Sequence, residues 1–172
     1  MTENATYEPI AKLSNKRGLE LFEEVIDEIE AHGFRTWDQG MWLMVPGDGW
    51  VGDLPPTVRE TMVPTTDCGT VACLYGHIVF KAGAKLATSL LSTRCVSDHQ
   101  VVDAEGDRRE ISVMARELLG LNEHLSDYIS ASERTWEEVI EFRDAWREDA
   151  AAGLVEEATN RESIVAATDY YA

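Results

Sequence analysis

The sequence predicts a mainly α fold: a small orthogonal assembly of five or six helices with an irregular tryptophan-containing segment and at most a short β-hairpin. Three observations lead there. Apolar residues recur at three- and four-residue spacing along much of the chain. Capping residues and glycines punctuate those stretches. One run around Tyr75 would be hydrophobic on every side of a helix, the mark of a buried central element. At 172 residues the chain fits one domain spanning 1–172, because a second would leave each half a thin core.

Residues 1–13 read as a polar arm. Leu19, Phe22, Ile26 and Ile29 then recur at spacings of three, four and three, one face of a helix with Ser14 as its cap and Gly33 as its stop. The other face carries Glu20, Glu23, Glu24, Asp27, Glu28 and Glu30 without a basic residue. Such an acid row is ordinarily a solvated face; its sharper reading is a docking surface for a basic partner.

Over residues 34–64 the periodicity breaks, and Gly40, Gly47, Gly49, Gly52, Pro46, Pro55, Pro56 and Pro64 mark turns. Within it, Met41-Trp42-Leu43-Met44-Val45 suits a strand, and Trp37, Trp42 and Trp50 fold the segment against the core, since a structureless loop this long is unusual. Thr66 or Asp67 caps the next helix, expected from Cys68 to Ala82 with Gly83 as its stop. Leu86, Leu90 and Leu91 suggest a further helical turn or two ending near Arg94. Residues 95–107 read as a loop with a brief extended piece at Val101-Val102. Ile111, Met114, Ala115, Leu118 and Leu119 form an amphipathic helix closed by Gly120, and Asn122 caps a short one through Leu125, Tyr128 and Ile129. Thr135 with Glu138 makes a capping box for a helix that carries Trp136, Val139, Ile140 and Trp146 to a stop at Gly153, and Thr159 with Glu162 repeats it for a last helix reaching Tyr170-Tyr171.

Composition narrows the function classes. Thirty-two acidic residues against 15 basic ones give a formal charge of −17. That field repels phosphate backbones and anionic lipid surfaces, so direct nucleic-acid or membrane binding is disfavoured and a basic protein partner is not. Met1 to Pro9 lacks the basic start and apolar stretch of a secretory leader, and no run is long enough to span a bilayer. Cys68, Cys73 and Cys95 are an odd count that reads as reduced thiols, which points to a cytoplasm.

Three chemical constellations each have a plainer reading. Cys68 at a helix N-terminus would favour a thiolate, and it is the candidate nucleophile. Its base cannot be His77, nine residues along the same helix and about 13 Å away. A small residue packing at a helix start is the commoner case. Cys73 with His77 and Cys95 with His99 share a Cys-x3-His spacing, which would offer zinc two sulfurs and two nitrogens. Neither half has a zinc-finger spacing, so no cofactor is expected. Residues 111–130 have the outline of a helix-turn-helix, but the reading helix carries Glu123, His124 and Asp127 and no Lys or Arg, which fits helix packing rather than DNA.

Asp67-Cys68-Gly69-Thr70-Val71-Ala72-Cys73-Leu74-Tyr75-Gly76-His77 resembles a signature, Cys-Gly-Thr-x-x-Cys-x-x-Gly followed by His or Trp, of a group of small bacterial and bacteriophage proteins, often actinobacterial. An upstream tryptophan segment, here Trp37 to Trp42, and a later Leu118-Leu119-Gly120-Leu121 extend the similarity over roughly residues 34–130. The resemblance supplies no activity. Trp in place of His77 implies that this histidine is not a required ligand, and the small residues imply a structural signature.

The expectation is therefore a non-enzymatic acidic interaction protein, phage-encoded and working in the host cytoplasm, that binds a host or viral protein. A nucleic-acid mimic is one form of it, and Glu20, Glu23, Glu24, Asp27 and Glu28 are its candidate contacts. The alternatives are a thiol or zinc site on Cys68, Cys73, His77, Cys95 and His99, and a virion structural or assembly component.

Overall fold

The computed structural model describes residues 13–40, 44–46, 72–86, 95–97 and 100–153. Among them the fold is mainly α, with five helices: α1 (Gly18–Ala31), α2 (Leu74–Lys81), α3 (Ile111–Leu119), α4 (Glu123–Ser130) and α5 (Trp136–Ala151). The β content is small. Strand β1 (Met44–Pro46) pairs antiparallel with β3 (Cys95–Ser97). Strands β2 (Lys85–Leu86), β4 (Gln100–Val102) and β5 (Arg108–Glu110) form an antiparallel sheet in the order β2-β4-β5. The β4–β5 hairpin closes through Asp103, whose Oδ1 accepts the N–H groups of Glu105 and Asp107 at 3.1 and 2.8 Å.

Helix α2 lies at the centre, as its apolar composition predicts. All eight of its residues are buried, lysine and histidine included. The helix is shorter than expected: it begins at Leu74, not Cys68. Ala72 is extended instead, because its N–H donates to the Thr36 carbonyl (2.9 Å) and its carbonyl accepts from the Asp38 N–H (3.1 Å). That isolated bridge between Ala72 and Trp37 uses backbone groups a helix would need. Residues 66–71, with Cys68 and the expected cap, lie outside the described residues.

Periodicity marks Leu19, Trp136 and Ile140, which are only half-buried, and leaves out Leu21, Val25 and Phe142, which join the buried faces packed around α2. From α1 these are Leu21, Phe22, Val25, Ile26 and Ile29; from α3, Ile111, Met114, Ala115, Leu118 and Leu119; from α5, Val139, Phe142 and Trp146. Phe22 packs its ring against Phe142 and Trp146, with centroids 5.7 and 5.6 Å apart, which joins α1 to α5.

Two helix starts and three helix ends follow the local rules. Asn122 Oδ1 accepts the Leu125 N–H, and Thr135 with Glu138 closes a full capping box. Helices α1, α2 and α3 each end in a left-handed glycine, Gly33, Gly83 or Gly120, followed by a residue whose N–H reaches back five positions: Phe34 to Ile29, Ala84 to Val79 and Leu121 to Arg116. Two local expectations are corrected. Ser14 is not the α1 cap; Arg17 stands there, and Ser14 instead donates to Glu24 at 2.8 Å. Leu86 belongs to a strand rather than a helix, because it pairs with Val101. The extended piece at Val101-Val102 is β4. The last expected helix, over 159–171, lies outside the described residues, as do Trp42 and Trp50, whereas Trp37 does pack on the core.

One buried side chain ties the irregular segment to two helices. Gln39 accepts the Leu74 N–H at the start of α2 (3.2 Å) and donates to the Ile129 and Ala131 carbonyls at the end of α4 (2.9 and 3.3 Å). No sequence rule announces such a double cap. Gln39→Leu keeps the volume and leaves those backbone groups unpaired in the interior, so it should destabilise the fold by about 3 kcal/mol. A urea titration read by tryptophan fluorescence checks this, with the midpoint falling and the slope unchanged.

Candidate protein-binding face

The α1 acids do not act as one row; the structure divides them between inside and outside. Lys81, on the buried helix, is 2% exposed and carries a charge that must be answered where it lies. Its ammonium meets Glu28 and stands 3.4 Å from Glu24. Burial would raise the Glu24 carboxyl, but hydrogen bonds from Ser14 and Lys16 and the charge of Lys81 outweigh it and hold it below its ordinary value. Glu28 thus faces inward, on a cation that lies more than fifty residues away in the sequence, and the half-buried Glu24 bridges that cation and the exposed Lys16.

Of the remaining acids, Glu20, Asp27 and Glu30 are exposed and Glu23 is half-buried against Arg147. Glu20, Glu23, Asp27 and Glu30 follow one another at spacings of three, four and three, along one stripe of α1. Helix α5 runs antiparallel beside it: Glu30 near the end of α1 accepts from the Trp136 indole at the start of α5 (3.2 Å), while Glu23 pairs with Arg147 near its far end. On the outer side of α5, Glu137, Glu141, Asp144 and Glu148 are all exposed, at spacings of four, three and four. Two carboxylate rows therefore flank a strip that holds Arg143 and Arg147. Arg143 lies 2.8 Å from Asp144, and Arg147 contacts both Glu23 and Asp144. Sequence reading found the α1 row but missed that of α5, where the two arginines break up the acidic run; the four-three-four spacing was the available signal.

At the Glu30–Trp136 end the face meets an aromatic cluster. The Trp136 ring centroid is 5.1 Å from those of both Phe34 and Trp37, in edge-on contacts. Phe34 is 43% exposed and has a φ of 62°, a left-handed backbone that a bulky side chain seldom adopts.

The residues weighed for chemistry are placed differently. Cys73 is the N-terminal flank of α2 and is buried. Its burial pushes the thiol up to about 11, against the lowering effect of the Gly76 and Tyr75 N–H groups at the helix start. His77 is buried, and its Nε2 lies 2.8 Å from the Thr36 carbonyl, which can only accept, so Nε2 carries the proton. Burial lowers its pKa to about 4. The Cys95 backbone belongs to β3 and its side chain lies outside the described residues, with Cys68 and His99. Among the described residues no group of three or more His, Cys, Asp or Glu is arranged to hold a metal ion. A cavity of about 300 Å³ beside α3 is bordered by Arg17, Asp103, Arg109, Met114, Glu117 and Leu118. Its polar groups largely answer one another, as Arg109 does Glu117 at 2.7 Å. No helix among the described residues is long and apolar enough to cross a membrane.

Comparisons with family models, with curated proteins and with solved structures found no match.

Two outcomes follow from the burial of Cys73 and His77. At pH 8 the thiolate fraction of Cys73 is on the order of one in a thousand. Iodoacetamide should therefore leave the Cys73 peptide unmodified in the folded protein and label it after urea, as read by mass spectrometry. For His77 the folded value lies below the ordinary 6.5. The unfolded chain then binds the extra proton, so stability is full above 6.5 and falls as pH drops toward 4, by about 3 kcal/mol in all. Glu24 and Glu138, held low, act only below their ordinary 4.5. Between pH 6.5 and 4.5 the decline should flatten in His77→Gln, measured by urea unfolding across that range.

Proposed function

We propose that this chain is a non-enzymatic acidic interaction protein whose α1–α5 face docks a basic surface of a protein partner. The observation that carries the reading is the pair of carboxylate rows, Glu20, Glu23, Asp27 and Glu30 on α1 and Glu137, Glu141, Asp144 and Glu148 on α5, separated by a strip that holds Arg143 and Arg147. Two near-parallel lines of negative charge attract a partner over several ångströms before contact and select against acidic ones. Carboxylates can stand in for backbone phosphates, so a DNA-binding protein is one target of this kind. The resemblance of residues 67–77 suggests a bacteriophage or its bacterial host as the setting, and a cytoplasm as the compartment.

The test is a pull-down from bacterial lysate with the tagged chain, eluted by a salt gradient. A specific partner should release as ionic strength rises. Reversal of Glu20, Asp27, Glu141 and Glu148 to Lys, all exposed, should leave thermal unfolding near that of the parent and abolish capture. Capture that survives this reversal overturns the reading. Competition by duplex DNA for the same partner distinguishes mimicry from other docking.

A further inference from the structure

The aromatic cluster at one end of the acidic face is maintained against local preference. Phe34 follows Gly33, and both are left-handed, with φ of 62° and 61°. Glycine takes that conformation freely and phenylalanine does not. The ring is not rewarded with burial either, since Phe34 remains 43% exposed. In the same short turn His32 Nδ1, Thr36 Oγ1 and Trp37 Nε1 are buried and bond to no other protein group. Strain, an exposed aromatic and unsatisfied polar atoms within residues 32–37 are a concentration of local cost that a purely structural turn would shed.

Resting on the α1–α5 reading, we infer that Phe34, backed by the half-buried Trp37 and Trp136, anchors an extended, arginine-rich segment of the partner, one guanidinium lying on the exposed Phe34 ring and the following cations running along the carboxylate rows. Charge complementarity selects this occupant. Glu30 holds the Trp136 indole at the junction of ring and acid row, and Glu137 continues that row beside Trp136. The nearby Arg35 directs its Nε to the His32 carbonyl at 3.0 Å. Ring faces attract guanidinium, which stacks as a plane and sheds water more readily than ammonium.

The experiment titrates a short synthetic peptide of alternating arginine and glycine into the full chain at low ionic strength, followed by the indole N–H resonances. The Trp136 and Trp37 signals should move on binding. Phe34→Gly removes the ring, relieves the backbone and changes no charge. It should weaken the peptide roughly 3- to 10-fold, with a thermal midpoint equal to or above that of the parent. Phe34→Asn, which also tolerates the left-handed backbone, should weaken it likewise and serves if the glycine variant does not fold. Salt-sensitive binding that is unaltered in both variants, with the Trp136 signal unmoved, overturns the anchor and leaves the acidic face standing. No binding by the parent overturns the anchor, and the lysate pull-down then decides separately whether the face binds anything.

Discussion

The complete burial of α2 is the constraint on which the rest of the structure depends. Eight residues without an exposed side cannot leave a polar group unanswered, because each would lose its water without replacement. The surrounding elements are placed accordingly. Tyr75 donates its hydroxyl to the Ser126 carbonyl on α4 at 3.1 Å. His77 reaches Thr36 in the turn after α1, Lys81 reaches Glu24 and Glu28 on α1, and the first helical N–H reaches Gln39. One short helix thereby fixes the positions of α1, α4 and the segment between Thr36 and Gln39. The apolar faces of α1, α3 and α5 close the core around this arrangement.

That constraint also shapes the surface. Lys81 holds Glu28 and the half-buried Glu24, so the acidity that α1 leaves free for solvent comes from Glu20, Asp27 and Glu30, with Glu23 held by Arg147. Breaking a buried ion pair generally costs several kcal/mol, whereas an exposed one contributes about 1 or less. The two sets of carboxylates therefore do different work although they alternate along the same fourteen-residue helix. Glu24 and Glu28 neutralise the buried Lys81. The outer set is available to a partner at little cost to stability, and the aromatic cluster at its end adds shape to what would otherwise be charge alone.

Much of the fold was legible from residue order. Periodicity marked most of the buried faces of α1, α3, α4 and α5, and the caps at Asn122 and Thr135 and the stops at Gly33, Gly83 and Gly120 stand where local chemistry puts them. These features depend on neighbours within one or two turns, and such information is written in sequence spacing. Three misplacements share one cause. The start of α2 moved from Cys68 to Leu74 because Thr36 and Asp38 claim the backbone of Ala72. Ser14 left the α1 cap for Glu24, and Leu86 left a helical turn for Val101. In each case a partner remote in the sequence outbid a local preference.

The sequence by itself determined that this chain is acidic and mainly helical, and that its central helix would be buried, because composition and periodicity act through burial and charge wherever the chain goes. Only the tertiary structure decided which acids face inward and which outward, that α5 would double the carboxylate row of α1, and that Phe34, Trp37 and Trp136 would meet. The physical reason is range. Ion pairing and ring contact act over a few ångströms of space, and residues separated by fifty or a hundred positions become neighbours only when the core closes around α2.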